Sequence, residues 1–501
     1  LESSSPALTR CTFTENSAEY GGGMYNTSST PILTDCTFGE NLARYGGGMS
    51  NAGGSSPTLD NCTFTSNSVE FNGGGMYNLD GSSPILTGCM FMENSATGFD
   101  STGAGMYNGA GSSPDLTDCT FMNNSSVFGG GMYNELSSAT LISCAFTSNS
   151  ADTGGGMYNN AGSSPTLTGC TFASNSADFG RGGGMWNYQS TPTLTDCTFA
   201  NNAARDGGGM WNYQSPATLT DCAFTSNSVT GFASRGGGMY NESSSPTLIG
   251  CTFATNSATG SISTGGGMWN YDGSEPTLEN CTFTGNSASA GGGGMYNEES
   301  SSPALIGCTF SSNSAELGGG MYNLNNSTPT LTDCNFCGNS PNQISGGMVK
   351  RAGLARAVVK EESLKVILYD EPTTGLDPIR ANVINDLIVR LQRELSITSV
   401  VVTHEMDSAF TIADRMVMLD KGRVLKIGTR AEFDDLRKID DEGAESLGGN
   451  DRLIRQFLRG DPVGPITRRR EETNYAEDLL QTADPRVTVG PSVEATRRKQ
   501  R

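Results

Sequence analysis

The chain has 501 residues, of which 66 are Gly, 14 are Cys and only 17% are charged, and its formal net charge is −21. Residues 1–344 hold 26 acidic residues, five Arg and no Lys, whereas residues 345–501 hold 26 of each sign. The lysine-free front argues against nucleic acid as a partner, because little in it neutralises phosphates, and no run of about 18 apolar residues is present to cross a bilayer as a helix.

One repeat organises residues 1–344. Thirteen cysteines, from Cys11 to Cys334, recur at about 27 residues, a period that suits one coil of a solenoid. A Phe follows each of them by two positions, from Phe13 to Phe336, and an Asn follows each Phe by three, from Asn16 to Asn339. Between these units stands Gly-x-Gly-Met-aromatic-Asn, first at Gly21–Asn26 and last at Gly318–Asn323. Cys and Phe at i and i+2 are expected on one inward face of a strand. Leu, Cys, Phe and Met then stack on their counterparts in neighbouring coils, and the Asn forms a hydrogen-bonded ladder along the axis. The Phe-x-x-Asn and Gly-rich strand pattern resembles the right-handed parallel β-helix repeats of polymorphic outer-membrane-type proteins, which implies a mainly β rod of about thirteen coils over residues 1–343.

Each coil carries one column Cys, so the thiols are expected as a buried stack of small apolar groups and not as disulfide pairs. Cys337 lies outside the column. The residue after each Met is Tyr25, Tyr77, Tyr107, Tyr133, Tyr158, Trp186, Trp211, Tyr240, Trp269, Tyr296 or Tyr322, with Ser50 as the exception. Beside an inward Met these rings are expected to point outward, either stacking on one another or offering an exposed stripe to a glycan or protein ligand. The acids of the rod are scattered singly, so catalysis is not expected there.

After residue 344 the repeat gives way to helix and strand alternation, the mark of an α/β domain. A helix is expected over 348–360, a buried strand at Lys365–Tyr369 and an amphipathic helix at Ile379–Leu395. A second buried strand follows at Ile397–Thr403, then a short helix, a strand at Arg415–Leu419 and another at Val424–Ile427. The first strand delivers Asp370 and Glu371 at its C-terminal end, where ligand sites of α/β sheets lie. Asp370 is placed to hold Mg²⁺ through hard oxygen ligands, and Glu371 to polarise an attacking water. Ser345-Gly346-Gly347-Met348 opens a helix whose N–H groups suit a phosphate. Thr374-Gly375-Leu376-Asp377-Pro378 follows the carboxylates. His404, the one histidine of the chain, follows the second buried strand, placed to contact a γ-phosphate.

In that order these residues resemble the signature motif, Walker B, D-loop and switch histidine of ABC-transporter ATPases. Ser345–Met348 with Lys350–Ala357, Gln456–Gly460 and Gly464–Ile466 are similar to the Mla/Mce-type phospholipid-transport members. The resemblance covers about residues 344–466 and implies ATP and Mg as cofactors, a permease as partner and a cytoplasmic membrane face. It implies Glu371 and His404 as catalytic residues, Ser345, Gly346, Gly347, Met348 and Asp377 as nucleotide contacts, and Asp370 as metal ligand. One departure outweighs the matches. The family's P-loop, Gly-x-x-x-x-Gly-Lys-Ser/Thr, cradles the phosphates, but the first Lys here is Lys350, and no later Lys completes the pattern. The second domain therefore reads as a partial P-loop NTPase without its P-loop half, able at most to lend its signature segment to a complete ATPase subunit. Its truncated sheet is expected to expose apolar strand faces. Residues 467–501, with Arg468–Arg470 and Arg497–Lys499, read as a disordered tail. The competing reading is a surface or secreted rod whose binding function lies in residues 1–343.

The two halves meet in register. Asn339 precedes Met348 by nine residues, as Asn67 precedes Met76, so the signature segment falls where the next Gly-Gly-Met strand of the rod is expected.

Overall fold

Short apolar runs separated by Gly, Ser-Pro and Asn cannot form long strands, and in the computed structural model each repeat from the second to the twelfth becomes one coil of four strands of two to six residues. The structure describes residues 1–341, 366–374, 378–394 and 396–461, and the chain divides into two units, Leu1–Gln343 and Ile344–Arg501.

A central coil shows the construction. Its strands are Thr193–Thr195, Thr198–Ala200, Ala203–Asp206 and Met210–Tyr213. Each pairs in parallel with its equivalent in the next coil, matching Leu194 to Leu219, Phe199 to Phe224, Ala204 to Val229 and Met210 to Met239. Among the described residues this yields four parallel sheets, two of 13 strands and two of 12. Leu194, Cys197, Phe199 and Met210 are buried inside. Phe199 lies 4.7 Å from both Phe172 and Phe224, with the rings within 3° of parallel. That distance is the spacing of hydrogen-bonded strands, so backbone pairing and ring stacking satisfy the same geometry.

The cysteine does not share a strand with the Phe, as the i, i+2 spacing predicts. Cys197 sits at the corner between Thr193–Thr195 and Thr198–Ala200. Asp196 before it turns the chain through a left-handed φ of 54°, and the thiol reaches inward from the bend. Its Sγ lies 3.3 Å from the Thr195 carbonyl and 3.7 Å from that of Leu167, so its proton has a carbonyl acceptor. All 14 cysteines are free thiols.

The Asn ladder forms and does more than link coils. Asn202 Nδ2 donates to Asn227 Oδ1 and to the Phe172 carbonyl, each at 2.9 Å, and Asn227 Oδ1 also accepts the Asn202 backbone N–H at 3.0 Å. One buried amide thus satisfies backbone groups that a corner leaves unpaired. A second ladder runs through the Asn after each aromatic ring, with Asn187 donating to Asn212 and Asn212 to Asn241, both at 2.8 Å. The glycine run is sterically required. Gly207 has φ +62°, and a Cβ at Gly208 or Gly209 would come within 2.5 Å of the Gly237 or Gly238 carbonyl oxygen.

The aromatic column is not an exposed stripe. Trp211 and Trp269 are 1% exposed and Tyr240 is 2% exposed, whereas Tyr25 in the first coil is 40% exposed. Neighbouring rings at 4.2 and 4.4 Å cover each other's faces. Arg181 and Arg235 lie over Trp211 and Trp269 with their guanidinium carbons 4.1 and 4.8 Å from the ring centres. The rings point outward yet form a lateral core of their own.

In the second unit, Val366–Asp370 and Thr398–Val402 pair in parallel, and Arg415–Asp420 and Arg423–Thr429 form an antiparallel hairpin. Helices span Pro378–Glu394, Met406–Ile412, Arg430–Lys438, Asp441–Ala444 and Gly449–Arg459. Ile367 and Tyr369 pack with Ile384, Ile388 and Ile397. The alternate residues Val366, Leu368, Val400 and Val402 are exposed, which is the uncovered sheet face that the missing half of the domain predicts. Phe433, Leu436, Ile454 and Leu458 form a separate small core, and the Arg430–Lys438 helix is held at its start by a capping box between Thr429 and Glu432. The helix expected over 348–360, the segment Ser345–Met348, Asp377 and the tail 467–501 lie outside the described residues. No helix among the described residues is long and apolar enough to cross a membrane.

Candidate functional site

The strand Val366–Asp370 alternates buried and exposed residues and ends on Asp370. The ladder continues one residue further, because the Glu371 N–H donates to the Val402 carbonyl at 2.9 Å. Glu371 itself has φ 48°, a left-handed conformation that costs a non-glycine residue about 1–2 kcal/mol. The hydrogen bond to Val402 and a turn closed by Thr374 N–H on the Glu371 carbonyl hold that conformation. Strain of this kind concentrates where side-chain placement matters for function.

Three described residues converge there. His404 Nδ1 lies 2.8 Å from Glu371 Oε1, and Thr374 Oγ1 donates to Glu371 Oε2 at 2.6 Å. The hydrogen bonds from His404 and Thr374 lower the Glu371 carboxyl below its usual range. Conversely, the hydrogen bond to Glu371 raises His404 above the ordinary imidazole value. The pair therefore holds an ionised carboxylate beside an imidazole biased toward protonation. His404 is 66% exposed and Glu371 34% exposed at their side chains, so the contact is open to solvent and contributes little to stability.

A buried polar chain lies behind this pair. Asn385 Nδ2 donates to Ser408 Oγ at 3.1 Å, and Ser408 Oγ donates to Thr373 Oγ1 at 3.1 Å. All three residues are buried. They tie the Glu371 loop to the Pro378–Glu394 helix and to the Met406–Ile412 helix that follows His404. Neither this chain nor the role of Thr374 is apparent from motif order. One signal was present: Asn385 interrupts the apolar face carried by Ile384 and Ile388 on an amphipathic helix.

Asp370 adjoins Glu371 at the strand end and offers hard oxygen ligands. Among the described residues, no three His, Cys, Asp or Glu side chains converge as a metal site. One carboxylate is nevertheless what Mg²⁺ takes where it keeps several waters and draws its other oxygens from phosphates. The structure thus brings Asp370, Glu371 and His404 to one end of two paired strands. The remaining predicted contacts, Ser345, Gly346, Gly347, Met348 and Asp377, fall outside the described residues.

Comparison with known proteins divides the chain in the same two parts. The second part is similar to ATP-binding subunits of transporters. It is 32% identical over 169 residues to the probable ribonucleotide transport ATP-binding protein mkl of Mycobacterium leprae, covering 30% of this chain and 44% of that protein. It is 35% identical over 141 residues to the intermembrane phospholipid transport system ATP-binding protein MlaF of Haemophilus influenzae, covering 28% and 48%. It is 38% identical over 143 residues to the glycine betaine/carnitine/choline transport ATP-binding protein OpuCA of Bacillus subtilis, covering 28% and 37%. The chain spans less than half the length of each of these relatives. The rod matches the family described as right handed beta helix region in overlapping stretches, residues 1–172, 48–220, 109–253 and 185–350. Since those stretches run through more than half of its residues, the protein belongs to the right-handed β-helix family.

Proposed function

We propose that residues 344–466 form one face of an ABC-type nucleotide site, completed by a full-length ATPase subunit that brings the P-loop. The observation that carries this reading is the 2.8 Å contact between Glu371 and His404 beside Asp370 at the end of two parallel strands. In the complete ABC-type site, with a P-loop in the same subunit, Glu371 would orient and polarise the attacking water, with the Thr374 hydroxyl keeping its carboxylate ionised. His404 holds the carboxylate in place and responds to the γ-phosphate. Asp370 holds Mg²⁺, which supplies charge neutralisation to the phosphates. Ser345–Met348 and Asp377 contact the nucleotide bound on the partner subunit. A permease is the membrane partner. The relatives carry three different cargoes in their names at similar identity, so the shared segment is assigned to energy coupling and not to cargo choice. The lipid-transport reading rests on Ser345–Met348, Gln456–Gly460 and Gly464–Ile466.

Purified alone, the chain is expected to show no Mg-ATP hydrolysis above its Glu371→Gln variant, because a nucleotide site without a P-loop lacks the main phosphate contacts. Mixed with a complete ATPase subunit whose own signature segment is inactivated by substitution, it is expected to restore turnover, and Ser345→Ala in this chain should abolish the gain. Turnover by the chain alone that Glu371→Gln removes would overturn the requirement for a partner. No gain in the mixture would overturn the assignment of the site.

A further inference from the structure

Nothing in the roles of Asp370, Glu371 and His404 requires the buried polar chain behind them. Ser408 stands at its centre. A serine hydroxyl carries a single proton, yet three groups lie within hydrogen-bond distance of this one. Asn385 Nδ2 donates to it at 3.1 Å, and two acceptors compete for its proton, Thr373 Oγ1 at 3.1 Å and Glu405 Oε2 at 3.4 Å. The two acceptors belong to opposite members of the pair. Thr373 precedes Thr374, whose hydroxyl holds the Glu371 carboxylate, and Glu405 follows His404 in the chain. Ser408 therefore reaches both sides of the Glu371–His404 contact from behind.

Stability does not account for this arrangement. Asn385 is buried beside Ile384 and Ile388 on the inner side of the Pro378–Glu394 helix, and its Oδ1 has no hydrogen-bond partner among the described residues. A buried polar atom left unpaired costs about 1–3 kcal/mol, which an apolar side chain at this position would not incur. Glu405 is placed with equal disregard for its own helix. It stands at the N-cap of Met406–Ile412 but makes no side-chain capping bond, and its carboxylate turns toward Ser408 instead. Departures from local preference concentrate at functional sites. The Glu371–His404 contact is itself open to solvent, so its geometry depends on the backbone segments that carry the two side chains.

We propose that Ser408 is a positioning residue: by holding Thr373 and Glu405 it sets Glu371 against His404, and the Asn385 amide ties that setting to the Pro378–Glu394 helix. This role rests on the proposed nucleotide site, whose carboxylate and histidine it regulates. Movement of the helix withdraws the Asn385 N–H from Ser408 and shifts the hydroxyl proton from Thr373 toward Glu405. The Glu371 loop then loses its buried anchor, and the pair separates. The helix thus biases the pair through one bistable hydroxyl.

The test uses the full chain and the imidazole ¹⁵N signals of His404, the one histidine present. When the ring is neutral, the contact of Nδ1 with Glu371 at 2.8 Å favours the tautomer protonated on Nδ1, because the partner of a ring nitrogen decides which one holds the proton. Glu371→Ala gives the ratio of Nδ1–H to Nε2–H without that contact. Ser408→Ala and Thr373→Val, which remove the two hydroxyls, should each lower the ratio at least about threefold toward that value. Asn385→Leu should lower it in the same direction with an unchanged circular dichroism spectrum, and it decides the matter together with Thr373→Val should Ser408→Ala fail to fold. Thr373→Ser, which keeps the hydroxyl, should retain the ratio. So should Thr411→Ala, on the helix of Ser408 but bonded to the Asp407 carbonyl. A ratio that falls in Glu371→Ala but is unchanged in Ser408→Ala, Thr373→Val and Asn385→Leu would overturn the positioning role and leave the nucleotide site standing. A fall in Thr373→Ser or Thr411→Ala as large as in Thr373→Val would also overturn it, because packing and not the hydroxyl would then be responsible. No change in Glu371→Ala would mean that the contact is not formed, and would remove the positioning role and the nucleotide site together.

Discussion

The rod and the second unit both use short parallel strands, but they bury them differently. In the inner coils of the rod each inward Leu, Cys, Phe and Met meets its own kind in the coils on either side, so a strand only three residues long is fully covered. In the second unit two parallel strands carry a helix on one face, while Val366, Leu368, Val400 and Val402 on the other face are open. Repetition lets a sheet close its core with local contacts alone. A doubly covered α/β sheet depends on elements from distant parts of a chain, and such a sheet is stable only with both faces packed.

Replacing one ring of the Phe ladder tests the first half of this contrast. Phe199→Ala removes a side chain stacked on both faces and should cost about 3–5 kcal/mol, read as lost hydrogen-exchange protection in its own coil and the two adjoining ones. Phe13→Ala, in the half-covered first coil, should cost distinctly less. Equal costs would mean that stacking between coils is not the source of the stability.

The open face offers the converse test. Leu368→Thr combined with Val402→Thr should change stability by no more than about 0.5 kcal/mol per site, as for surface positions, while reducing binding of a hydrophobic dye. A loss of more than about 2 kcal/mol would show that the face is covered in solution.

The smallest effect is electrostatic. His404 is the one histidine of the chain, so its imidazole NMR signal titrates without overlap. Its midpoint should lie above that of an ordinary imidazole and fall in Glu371→Gln. The sign follows from the two shifts. The charged pair is complete above the lowered Glu371 pKa and below the raised His404 pKa. It is lost as pH falls through the first or rises through the second. A midpoint unchanged by the substitution would mean that the 2.8 Å contact is not formed.

Much of the fold was legible because the repeat places identical chemistry at a fixed period. The inward Leu, Phe and Met and the Asn ladder follow from that period alone. The cysteine's strand position did not follow, because spacing of i and i+2 cannot reveal that Asp196 adopts a left-handed turn between two strands. The aromatic column was correctly directed outward, and of the two readings left open, mutual packing of the rings or an exposed stripe, the structure shows the first. Its burial depends on rings 4–5 Å apart covering one another and on arginines folded across them. In the second unit, motif order singled out Asp370, Glu371 and His404, which lie together at one end of two paired strands. It did not identify Thr374 or the Thr373–Ser408–Asn385 chain, whose members are scattered along the sequence.

Sequence alone determined the coil, its period and the identity of each stacked column, because in a parallel solenoid a residue's neighbours are its own equivalents about 27 positions away. It also supplied the order in which the carboxylates and the histidine follow their two strands. Tertiary structure decided which outward side chains are covered and which converge. Arg181, Arg205 and Arg235 share one cleft because coil geometry stacks residues from successive repeats side by side, whereas in the linear chain they are isolated charges.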